Sequence, residues 1–109
     1  YNQAVLLNNM LYTSGQIAIN PATNELVLSN IKEETKMVME NLKAVLAAAE
    51  MSFENVIKTS IFISNMDNFA QINEVYGSYF ISDFPARETV EVACLPKNVN
   101  VEISVIAAK

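Results

Sequence analysis

The stretch IKEETKMVMENLKAVLAAAEMSFENVIKTSIFI, residues 31–63, changes its apolar period once, and that change decides the fold class. Ile31, Thr35, Val38, Leu42, Val45, Leu46 and Ala49 recur at steps of three and four, the stripe of an amphipathic helix of about five turns. Asn30, followed by Glu33 three residues on, supplies the pattern of an N-terminal cap. Residues 52–55 read as a connector. VIKTSIFI, 56–63, is β-branched and aromatic, the composition of a strand. A helix feeding a strand within one short stretch places the chain among mixed α and β folds.

Working outward, AVLLNNMLYTSGQIAI at 4–19 reads as a hairpin that turns at Asn8 and Asn9, because asparagine tolerates positive φ. Gly15, on its second arm, has no side chain and so permits a bulge or a close approach by another group. NPATNEL, 20–26, is turn chemistry. Beyond the central strand, Asn65, Asp67 and Asn68 offer caps to a second helix whose stripe is Phe69, Ile72, Tyr76, Tyr79 and Phe80, with Gly77 as a weak point. A strand entered through Pro85, a turn at 95–98 and a last strand, VEISVIAA, complete the order β-β-α-β-α-β-β. The expectation is a single α+β domain over 1–109, a mixed sheet of about five or six strands backed by two helices. Two helices cover one face of such a sheet, so a partner subunit is the natural cover for the other.

The composition bounds what this domain does. Of 109 residues, 51% are apolar, which excludes a disordered chain. Seven basic against twelve acidic residues give a net charge of −5, unfavourable for nucleic acid. There is no histidine, which removes the commonest general base and metal ligand. A lone cysteine, Cys94, makes no internal disulfide and points to a reducing, cytoplasmic setting. Its expected role is that of a small buried apolar residue. The most apolar run, near 44–49, falls far short of the roughly 18–20 residues of a membrane span, and no secretion leader is visible.

Strand alternation sorts the charged residues by face. In the Pro85 strand, Val90 and Val92 share one side while Arg87, Thr89 and Glu91 share the other; in the last strand Val101, Ile103 and Val105 oppose Glu102 and Ser104. If the apolar sets meet the helices, both charged sets face away from them. A short turn between the two strands predicts a hairpin, which would bring Arg87 and Glu102 together on the open face. There they either neutralise each other or await a ligand, Arg87 gripping a carboxylate and Glu102 moving protons. Spacing alone leaves both readings open.

TSGQI at 13–17, the blocks NLKAVLAAA and NVIKTSIFI, the NFAQINEVY segment, FPARETVEV with its following LPK, and VEISVIA resemble, in order and over nearly the whole chain, the RidA/YjgF family of reactive intermediate deaminases. The resemblance implies a chorismate-mutase-like fold assembled as a homotrimer with clefts between subunits. It implies hydrolysis of enamine and imine acids, such as 2-aminoacrylate, to 2-keto acids and ammonia, with no metal or organic cofactor. By the same resemblance Arg87 holds the substrate carboxylate and Glu102 handles the hydrolytic water, while Tyr1, Ser14, Gly15, Phe69, Asn73 and Thr89 line the pocket. Asn73 also falls between Phe69 and Tyr76 on the helix stripe, where an amide needs partners. Thr89 stands where many members carry cysteine, which argues against a thiol mechanism. Rival readings are a non-catalytic keto-acid sensor and an RNA-directed endoribonuclease or translation inhibitor.

Overall fold

The computed structural model describes residues 1–109. A five-stranded mixed sheet is built from β1 (Ala4–Leu7), β2 (Met10–Thr13), β5 (Val56–Ile63), β6 (Ala86–Glu91) and β7 (Val101–Ala108), in the spatial order β1-β2-β7-β5-β6. Two helices, α1 (Ile31–Ala48) and α2 (Phe69–Gly77), back one face. The second arm of the first hairpin, expected to run to Ile19, ends at Thr13, and β3 (Ile19–Asn20) and β4 (Glu25–Leu26) form a separate two-stranded ribbon across the stretch 20–26 expected as a turn. No helix is long and apolar enough to cross a membrane.

Local chemistry sets most boundaries. Asn8 and Asn9 take φ of 49° and 66°, which joins β1 to β2 through a two-residue turn of the hand that hairpins favour. Asn30 accepts from the Glu33 amide at 2.9 Å and starts α1 as the capping pattern requires. At the second helix the side chain of Asn65 caps a short 3-10 turn, Met66–Asn68, and α2 follows directly from it. α2 ends at Gly77, so Tyr79 and Phe80 lie beyond it rather than on its stripe. They are still held in the core. Phe80 packs on Tyr76 at 4.9 Å between ring centroids, and the Tyr79 hydroxyl donates to Glu40 of α1 at 2.6 Å.

The core lies between helices and sheet. Val38, Met39, Leu42 and Leu46 of α1 and Ile72 and Tyr76 of α2 meet Ile61 and Ile63 of β5 and Val101, Ile103, Val105 and Ala107 of β7. One buried charge sits among them. Glu34, fully buried in α1, accepts from both the backbone and the side-chain amide of Asn100, each at 2.7 Å. Two donors offset the desolvation of the carboxylate and pin the residues that lead into β7.

The expected hairpin of the last two long strands does not form. β5 lies between β6 and β7, pairing parallel with the first and antiparallel with the second. The connection from β5 to β6 contains α2, and a crossover of that length permits parallel pairing, whereas a hairpin permits only antiparallel. Cys94, read as buried, is exposed; in its segment the neighbouring Leu95 supplies the apolar anchor instead.

Candidate functional site

The order of strands places Arg87 on an edge strand, and register turns it to the face that carries the helices, where it stays exposed. Arg87 lies opposite Thr59, and Thr89 opposite Ile61; Thr59 and Ile61 are both buried beneath the helices. Directly opposed residues share a face, so Arg87 and Thr89 point toward α2, against the expectation from sequence. Val90, the apolar member of β6, lies 42% exposed on the helix-free face opposite Phe62. Alternation groups residues by face but says nothing about which face a strand turns inward.

Around Arg87 the chain builds a cradle without an acid. The guanidinium stands over the rings of Phe69 and Tyr76, 5.6 and 5.3 Å from their centroids, and donates to the amide oxygen of Asn73. Asn73 is on the exposed flank of α2, not within its buried stripe, and Arg87 is its partner. The ion pairs of the chain are Lys32–Glu74 and Lys58–Glu88, so no carboxylate neutralises Arg87. Beneath the guanidinium, the Tyr76 hydroxyl donates to buried Thr59 at 3.0 Å. Burial raises the Tyr76 phenol pKa, while the Thr59 hydrogen bond and the Arg87 charge act in the opposite direction. Two residues along β6, the Thr89 hydroxyl is buried with no hydrogen-bond partner. Tyr76 was legible only as an apolar stripe position, although a tyrosine at a core site implies a partner for its hydroxyl.

A second group gathers on the opposite face. Tyr12 pairs with Ile106 and Gln16 bridges Ile103, so four steps along one segment match three along its neighbour, a one-residue bulge at the end of β2. Gly15 lies in this bulge. A Cβ there would stand 2.5 Å from Oε2, 2.6 Å from Cδ and 2.9 Å from Cγ of Glu102, so the Glu102 side chain rests on the bare backbone of the glycine. Ser14 donates through its hydroxyl to the Asn2 carbonyl at 2.5 Å and through its backbone to Gln3 at 2.8 Å. Those bonds tie the segment that carries the fully exposed Tyr1 to the bulge. Both of the alternatives foreseen for Gly15, a bulge and a close approach, are thus realised together.

The predicted site residues therefore fall into two sets. Arg87, Thr89, Phe69 and Asn73 meet at the β6–α2 edge; Glu102, Gly15, Ser14 and the Tyr1 segment meet on the helix-free face beside β7. Glu102 lies opposite Phe62, on the reverse of the face that Arg87 occupies. Two strand spacings, about 10 Å, further separate β6 from β7. One chain does not bring Arg87 and Glu102 together.

The chain is an α+β sheet with one bare face, a guanidinium without an ionic partner on its edge strand and a carboxylate seated over a glycine bulge, the two polar groups lying in separate halves. Comparison with known proteins gives the family. The family model described as Endoribonuclease L-PSP matches residues 1–109. A RutC family protein of Pyrococcus horikoshii is 48% identical over 109 residues, covering 100% of this chain and 86% of its own. The human 2-iminobutanoate/2-iminopropanoate deaminase is 41% identical over 107 residues, covering 98% of this chain and 78% of its own. The crystal structure of Escherichia coli TdcF with bound serine superposes with a TM-score of 0.95 at 40% identity, covering 100% of this chain and 87% of that one. The chain belongs to the endoribonuclease L-PSP family, the RidA/YjgF proteins.

Proposed function

We propose that this protein hydrolyses 2-enamine and 2-imine acids to 2-keto acids and ammonia, in clefts between the copies of a homotrimer. The observation that carries the reading is the uncompensated Arg87: it is exposed, its one polar partner is a neutral amide and no carboxylate of the chain pairs with it, so the guanidinium is free to take an anion from outside. A small carboxylate supplies that charge through a bidentate, charge-assisted contact. The naming of the human relative as an imine deaminase and the serine bound to TdcF support a ligand of 2-amino-acid type.

The division of the site explains why copies are needed. The helix-free face carries Val5, Tyr12 and Val90, respectively 53%, 46% and 42% exposed, as apolar surface suited to a second copy. A neighbour seated there presents its own β6 edge, and Arg87 of one subunit then faces Glu102 of the next. The protonated imine carbon accepts water. Glu102 takes one proton from that water as the C–O bond forms and returns it to nitrogen; the C–N bond then breaks as the carbinolamine hydroxyl gives its remaining proton to Glu102, which leaves the keto group, releases ammonia and passes that proton on to the ammonia or to solvent. An enamine enters by protonation at its methylene carbon, which yields the same iminium. Thr89, whose hydroxyl has no internal partner, is placed to bond the substrate beside Arg87.

The test is turnover of 2-iminopropionate generated in place by an amino-acid oxidase, with ammonia release followed. The parent accelerates it, and Arg87→Ala loses at least about a hundredfold, consistent with removal of a charge-assisted clamp. Equal rates for Arg87→Ala and the parent would overturn the reading.

A further inference from the structure

Gln16 is among the few polar residues buried in the chain, 8% exposed, and the reading above assigns it nothing. A buried primary amide must satisfy its donors. Its Nε2 donates to Oε1 of Gln3 at 2.9 Å and to the Ser14 carbonyl at 3.4 Å. Its backbone amide donates to the Ile103 carbonyl at 2.8 Å, and its carbonyl accepts from the Ile103 amide at 3.1 Å.

Those four bonds reach each segment that carries the Glu102 half of the site. Ile103 follows Glu102 directly on β7. Ser14 precedes Gly15, the bed on which the Glu102 side chain lies. Gln3 belongs to the leading segment, and its own carbonyl accepts from Ser14. An apolar residue of similar length would fill the same volume, so packing does not explain an amide here. What the amide adds is a side-chain tie between Gln3 of the leading segment and the Ser14–Gln16 stretch, at the bulged end of β2 that backbone bonds join to Ile103 of β7. The bulge interrupts the ladder, so the backbone bonds here are the isolated ones from Ser14 to Gln3 and between Gln16 and Ile103, and the amide reinforces them.

We propose that Gln16 is a positioning residue: through Gln3 and Ser14 it fixes the bulge, and through the bulge it sets the place of the Glu102 carboxylate. The inference rests on the hydrolytic reading for its kinetic consequence but not for its geometry. Catalytic groups lose rate when displaced by fractions of an ångström, so the effect belongs to the proton-transfer step. Arg87, the carboxylate clamp, is on another strand and face, so its hold on the substrate is left intact and KM changes less than kcat.

The experiment compares Gln16→Met, Gln3→Met, the double variant and Gln3→Glu in the full-length protein. Gln16→Met is expected to lower kcat about tenfold or more, with KM changed less than about twofold. Gln3→Met lowers kcat in the same way, and the double variant falls no further than the worse single one, since both remove one interaction. Gln3→Glu keeps an acceptor for Gln16 and stays within about twofold of the parent. A Gln16→Met protein of reduced melting temperature and unchanged kcat overturns the proposal, as does additivity of the two methionine variants. If Gln16→Met does not fold, Gln3→Met decides alone, because Gln3 is exposed. A readout without substrate separates the two readings. The 13C chemical shift of the Glu102 carboxyl is expected to differ between parent and Gln3→Met or Gln16→Met; an unchanged shift overturns the positioning role whatever the turnover. A changed shift in a protein whose parent lacks imine turnover leaves the positioning role standing and removes the hydrolytic reading.

Discussion

Arg87 and Glu102 stand on opposite faces of one sheet, with β5 between their strands: Arg87 is registered with buried Thr59 and Glu102 with outward Phe62. A reaction that uses both therefore takes one from each of two chains. Mixing inactive Arg87→Ala with inactive Glu102→Gln, unfolding together and refolding, is expected to restore roughly a quarter of parental turnover by random association into closed rings. Turnover no higher than that of the separate variants would mean that the two groups do not share a cleft.

Gly15→Ala isolates the seat of Glu102. The added methyl meets the far end of a flexible side chain, and Gly15 has no positive φ, so the backbone accepts alanine without strain. The carboxylate must move instead. Turnover is expected to fall about tenfold or more, equivalent to about 1.4 kcal/mol, while the melting temperature stays close to the parent's. Thermal melts and kcat measured on the same preparation check both halves of this.

Tyr76→Phe keeps the ring beneath Arg87 and removes the hydroxyl that bonds Thr59. Thr59 is fully buried, so its oxygen is left without that partner. The expected loss is about 1–3 kcal/mol, or a drop in melting temperature of roughly 4–8 °C per kcal/mol for a domain near this size. Keto-acid affinity, read by calorimetry, should change less than twofold because the aromatic face persists.

Glu88 offers a titration test on the helix-free face. A hydrogen bond from Ser60 at 2.6 Å, and secondly the Lys58 charge at 3.5 Å, hold its pKa below the ordinary carboxylate value. A depressed folded pKa contributes stability that is present above the unfolded value and is lost as pH falls through the folded one. Ser60→Ala should raise the Glu88 pKa, and Lys58→Met should raise it by less, in a carboxyl 13C titration. A larger effect from Lys58→Met would reverse the assigned order of causes.

Much of the fold was legible from residues alone because its signals are local. The stripe from Ile31 onward gave α1 with its Asn30 cap, and Asn8–Asn9 gave the first hairpin, since side-chain and φ preferences act within a few residues. The small ribbon β3–β4 was not legible, and Gly77 was legible as a weak point of α2 but not as its end. Cys94 went the same way: its small apolar character suits burial, but Leu95 holds that position.

By itself the sequence determined an α+β chain, its family, and the separation of Arg87 and Thr89 from Val90 by alternation, all of which follow from short-range periodicity and ordered motifs. Tertiary structure alone decided that β5 would part β6 from β7, that Arg87 would turn toward α2, and that Gly15 would lie under Glu102. Pairing and facing are long-range choices, fixed by how the crossover through α2 lays β6 against the sheet, and no local preference encodes them.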